Sequence, residues 1–137
     1  MKINILLALL LFNLNSFSQK ISFKNDKILV DNIEVFVYKK TNRGEFSIYD
    51  KTTKKELVFI YYNDNGTRGY YDDDYIKITF LELNKSMEND LALWSEKLIK
   101  WFLENNLFNK EGKWNEEAIN QFITKYNQNI SNRTIIH

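Results

Sequence analysis

The chain has 137 residues, with 19 Lys and Arg against 18 Asp and Glu, a formal net charge of +1. That balance argues against nucleic-acid binding, which needs a concentrated basic face, and against tight adhesion to an anionic membrane, which needs basic clusters on an amphipathic helix. Cysteine is absent and the single histidine is the last residue, His137. Ser-His, Cys-His and transition-metal chemistry are therefore not supplied, and no catalytic residue, metal ligand or cofactor is assigned.

Residues 1–18 have the order of an export signal. Lys2 precedes an apolar run from Ile3 to Phe12 broken only by Asn4, then Asn13-Leu14-Asn15 make a polar exit. Ser16-Phe17-Ser18 puts small residues at the −3 and −1 positions of a cleavage site. About a dozen apolar residues are too few to cross roughly 30 Å of hydrocarbon, and no cysteine is present for acylation. The expectation is cleavage after Ser18 and a periplasmic or secreted product without a transmembrane anchor. Removing Lys2 leaves 18 charges of each sign on residues 19–137, a length that suits one domain. Without disulfides, its core has to rest on large rings, and aromatics are 15% of the chain.

From residue 19 to 81 the apolar period is two, which predicts an antiparallel meander of about six strands. The segments are Ile21–Phe23, Lys27–Val30, Ile33–Lys40, Glu45–Tyr49, Glu56–Tyr62 and Tyr75–Leu81. Asn25-Asp26 and Asp31-Asn32 tolerate the positive φ of two-residue hairpin turns, and Gly44 frees the next bend. Over 86–127 the period becomes helical. Leu91, Trp94, Leu98, Trp101 and Phe102 make one stripe of a helix starting near Glu88. Asn115 reads as the N-cap of a second helix, with Glu116 and Glu117 in its first turn and Ile119, Phe122, Ile123 and Tyr126 as its stripe. Residues 128–137 read as a frayed tail. An α+β domain follows, its meander covered on one face by two C-terminal helices.

The stretch Tyr61–Tyr75 holds five tyrosines, two glycines, Arg68 and four aspartates. Tyrosine gives wide amphipathic contact at low entropy cost, and Gly and Asn add adaptability, which is the composition of a binding loop. Tyr61, Tyr62, Arg68, Tyr70 and Tyr71 are its candidate contacts. The alternative is a solvated hairpin whose rings lie on the sheet edge, with Asp72, Asp73 and Asp74 pairing Lys39, Lys40 and Arg43 at the same end. Calcium is not assigned: Asp64, Asn65, Gly66 and the three aspartates are hard donors, but Tyr61 stands where an EF-hand would place its first ligand. Lys51, Lys54 and Lys55 form a basic turn at the other end, read as solubilising. Trp94 and Trp101 fall on a core stripe, whereas Trp114, just before the second helix, is the exposed candidate for stacking on a sugar.

The Ser18-Gln19 junction, KILVDNIEVF (Lys27 to Phe36), FSIYD (Phe46 to Asp50), and NEEAINQFITKY with NRTI behind it together resemble small exported proteins of Gram-negative bacteria whose activity is unknown. The resemblance covers nearly all of residues 19–137 and implies no activity, cofactor or catalytic residue. The expected function is non-catalytic binding of a protein or another envelope component, such as a glycan, through the Tyr61–Tyr75 loop. The alternatives are a carbohydrate or small-ligand binder using Trp114 and the loop tyrosines, and a carboxylate-based cell-wall hydrolase.

Overall fold

The computed structural model describes residues 19–64, 66–67, 69–70, 72–91, 93 and 95–133. Residues 1–18, read as an export signal, and Asn65, Arg68, Tyr71, Trp94 and His137 lie outside the described residues. Seven strands follow one another: β1 Ile21–Lys24, β2 Lys27–Val30, β3 Ile33–Lys40, β4 Glu45–Asp50, β5 Glu56–Asn63, β6 Tyr75–Phe80 and β7 Lys85–Asn89. Each pairs antiparallel with its neighbour in sequence, so the sheet order is the chain order. Among the described residues three helices follow: α1 Ser95–Glu104, α2 Glu116–Tyr126 and the short α3 Ile130–Arg133. No helix among the described residues is long and apolar enough to cross a membrane.

Turn chemistry sets the register. Asn25, Asp26, Asp31 and Asn32 all hold φ between +51° and +65°, the mirror-image turns whose twist matches that of the strands they join. Two pairings contain an extra residue, Val35 between β2 and β3 and Leu57 between β4 and β5. Both are buried, and bulges of this kind bend the strand and increase its local twist. Inward-facing Ile28, Phe36, Ile48, Val58, Ile60, Ile78, Phe80 and Met87 line the covered face. The first helix lies against β1 and the second against β7. Trp101 of α1 packs edge-on to Phe122 and Tyr126 of α2, 4.6 and 4.9 Å between ring centres.

Residues 86–89, read as the approach to a helix, are instead β7, and α1 starts at Ser95. The segment Lys85-Ser86-Met87-Glu88-Asn89 has a single apolar residue, so it shows no strand period. Leu91 is exposed rather than part of the buried stripe, which consists of Leu98, Ile99 and Phe102.

The tail is docked over its described part, contrary to the expectation of fraying. Glu88 N–H donates to Asn127 Oδ1 at 3.0 Å, Gln128 N–H to the Glu88 carbonyl at 2.8 Å, and Asp90 N–H to Gln128 Oε1 at 2.8 Å. Ser131 donates both its N–H and its hydroxyl to Glu88 Oε1, at 3.2 and 2.8 Å. Polar side chains thus stand in for an eighth strand and satisfy the outward groups of β7.

The β4–β5 turn is held by Asp50, whose carboxylate accepts the N–H groups of Thr52 and Thr53 at 2.8 and 2.7 Å. Those two bonds, ahead of the other influences, hold its carboxyl below the usual aspartate value. The folded state therefore gains stability above the unfolded pKa of about 4, and that gain disappears as the pH falls through the lower folded value. Asp50→Asn should flatten the acid limb of a stability–pH profile measured by urea unfolding. An unchanged acid limb would show that the turn draws nothing from the charge.

Candidate functional site

The β5–β6 loop rises from a base fastened on both faces of the sheet. On the covered face, the Tyr62 hydroxyl donates to Asp74 Oδ2 in a short hydrogen bond. Asp74 is buried, and its other oxygen has no partner among the described residues. On the opposite face, Asn63 Nδ2 donates to the Tyr75 hydroxyl at 2.9 Å. Burial first, and then the negative charge of Glu88, raise the Tyr75 hydroxyl above the ordinary tyrosine value. Tyr75 thus stays protonated well beyond neutral pH.

The described part of the loop is a run of turns. Asp64 accepts the Gly66 N–H at 2.9 Å on its side chain and the Thr67 N–H at 3.0 Å on its carbonyl. The Thr67 hydroxyl reaches both carboxylate oxygens of Asp73 at 2.8 Å. The carboxylates of Asp64, Asp73 and Asp74 thus accept from different residues, Gly66, Thr67 and Tyr62, and among the described residues no group of three or more acids or histidines could hold a metal ion. Asp74 in particular is turned inward to Tyr62 rather than outward to Lys39, Lys40 or Arg43.

The candidate contacts divide sharply. Tyr70 is 57% exposed and Tyr61 38% exposed, and they are the described rings that a partner could touch. Tyr62 is a correction: it shares the parity of Val58 and Ile60 on β5 and works as a clamp under the loop. Arg68 and Tyr71 lie outside the described residues. The end of the sheet is as the turn count implied, since Tyr62 N–H donates to the Gly44 carbonyl at 3.0 Å.

Trp114 is a second correction. It is not an exposed stacking platform but a half-buried ring within 5.3 Å of both Phe36 and Phe108, and 6.1 to 6.2 Å from Phe102 and Phe80. Its buried indole N–H has no hydrogen-bond partner among the described residues. Phe80 ends β6 and Tyr75 begins it, five residues apart, so roughly 17 Å separates the two ends at 3.3 Å per residue. Trp114 and the loop tyrosines consequently cannot form one sugar site.

The Lys51–Lys55 turn is committed locally: Lys51 Nζ donates to the Glu34 carbonyl, Lys54 Nζ to the Lys51 carbonyl, and Lys55 pairs with Glu82 at 3.1 Å. Two larger hollows lie at the helical side. One of about 650 Å³ runs along the solvent face of α2 between Glu116 and Lys125, and one helix face alone provides no convergent groups. The other, about 610 Å³, is bordered by Trp114 and the turn that precedes it. No family model, curated protein or solved structure matches the chain.

Proposed function

We propose that this is an exported, non-catalytic binding module that engages a protein of the cell envelope through the β5–β6 loop. The observation that carries the reading is the contrast among the four described tyrosines. Tyr62 and Tyr75 are fastened beneath the loop by Asp74 and Asn63, while Tyr61 on β5 beside that base and Tyr70 in the loop above it stand exposed. A fixed base next to open aromatic rings lowers the ordering cost of association and leaves wide contact area, the pattern of a rigid paratope. The residue order of 1–18 supports delivery to the periplasm or the medium.

The test is capture of the tagged protein's partner from the envelope of its own host, followed by reconstitution of the purified pair. Tyr61→Ala with Tyr70→Ala should weaken the reconstituted complex at least thirtyfold, about 2 kcal/mol for loss of an aromatic anchor. The melting temperature should stay within the error of the wild-type value, because both rings are exposed. Undiminished binding by the double variant would remove the loop from the interface.

A further inference from the structure

We propose that the free edge of β1 takes up an acidic, extended segment of another protein as an antiparallel eighth strand. This surface is separate from the tyrosine loop and does not depend on that loop's role.

The two edges of the sheet are finished differently. Asn127, Gln128 and Ser131 close β7, and no described residue does the same for β1. The Lys20 carbonyl accepts the Asp31 N–H at 2.8 Å. Backbone direction alternates along a strand, so Ser22 and Lys24 also turn towards β2. The N–H and carbonyl groups of Ile21 and Phe23 therefore point away from the sheet, and no described residue hydrogen-bonds them. Such a row is a template for strand addition.

Charge decides what the edge accepts. Lys20, Ser22 and Lys24 share the uncovered face, because they alternate with the buried Ile21. The two lysines are exposed and about 13 Å apart along the strand, and no described residue pairs with either ammonium. Neighbouring acids are already engaged: Asp31 accepts the Lys20 N–H at 2.9 Å, and Glu34 pairs with Lys27 at 3.4 Å. Before the start of β1, Gln19 borders the hollow that carries Lys110 and Lys113 against the carboxylate of Glu116.

A strand bonded to Ile21 and Phe23 sets its residues opposite Lys20 and Lys24 in the close, non-hydrogen-bonded positions, about 4.5 Å between Cα atoms. Acidic residues four positions apart meet both lysines there. Apolar residues opposite Ile21 and Phe23 extend the covered face, where Phe23 is only half-buried. The matching segment reads acidic, apolar, small polar, apolar, acidic. A second copy of this chain is a poor occupant. Two-fold pairing about Ser22 sets Lys24 of one copy opposite Lys20 of the other, and facing like charges are destabilising. Lysine on the edge thus repels its own kind and leaves the place open to an acidic strand.

The whole protein, labelled with ¹⁵N, should be titrated with the capped peptide Thr-Glu-Val-Thr-Val-Glu-Thr. Its controls replace both glutamates by glutamine, replace both by lysine, or N-methylate both valines. The acidic peptide should give saturable shifts centred on Ile21 and Phe23 and slow hydrogen exchange at those two amides. Glutamine should weaken binding about tenfold, and lysine should abolish it. N-methylation should also abolish it, since it removes the pairing donors and keeps the charges. The protein variant Lys20→Gln with Lys24→Gln should lose about tenfold at unchanged melting temperature, because both side chains are exposed. Shifts centred elsewhere or none that saturate, equal affinity for the glutamine peptide, or undiminished binding after N-methylation would each overturn the proposal. Full affinity in the double variant, or a dimer paired through β1 without peptide, would do the same.

Discussion

Gly112→Ala should cost about 3 kcal/mol, more than alanine at either glycine of the tyrosine loop. Gly112 has φ +79°, and a Cβ there would stand 2.7 Å from the Val35 carbonyl oxygen and 3.3 Å from both the Phe36 ring and Val35 Cγ1. The left-handed backbone accounts for about 1–2 kcal/mol of the loss, and the remainder comes from driving a methyl into a backbone atom that cannot swing aside. Gly66 and Gly69 supply the control. Their φ values are +71° and +85°, yet no described residue lies within 4 Å of the added carbon. Alanine at either should cost only the conformational part. Urea midpoints of the three variants check the ranking, and a Gly112→Ala protein as stable as Gly66→Ala would mean that the 109–112 turn is not seated on β3.

The second large effect is at Trp114, where size and polarity can be separated. Trp114→Ala should lose about 3–5 kcal/mol, because it empties the space between Phe36, Phe80, Phe102 and Phe108. Trp114→Phe should lose almost nothing. The phenyl ring gives up some contact area, but it also removes a buried N–H without a partner among the described residues, a group that costs about 1–3 kcal/mol. Equilibrium unfolding of both variants tests the contrast. If phenylalanine proves nearly as damaging as alanine, the indole N–H has a hydrogen-bond partner in solution and the ring is held by it.

The meander was legible because its signals are local. Asn-Asp and Asp-Asn turns announce themselves through positive φ, and alternation over Ile33–Lys40 or Tyr75–Phe80 does not depend on what lies opposite. The cap at Asn115 is local in the same way, and it holds Ala118 N–H as expected. The seventh strand was not legible, since what makes Lys85–Asn89 a buried strand is a polar tail forty residues onward. That tail was unreadable for the matching reason: Asn127, Gln128 and Ser131 look like solvated chain until the edge of β7 is placed beside them. Trp114 was misread because its burial is decided by the turn at Gly112, which folds it back on Phe36. Tyr62 alone carried a usable signal that was passed over. Counting by two from Val58 through Ile60 reaches it, and that parity separates it from Tyr61.

The pairing of every strand with its chain neighbour also sets the order in which the protein can assemble. Six hairpin contacts close short loops, each at small entropic cost, so the sheet can zip from any turn. Closure of β7 by Asn127–Ser131 spans about forty residues and requires α1 and α2 to be in place first. During synthesis the sheet is therefore complete, with its β7 edge still bare, before the residues that seal that edge have left the ribosome. A chain held unfolded until export is over would meet that exposed interval only once, after translocation, with all its parts present together.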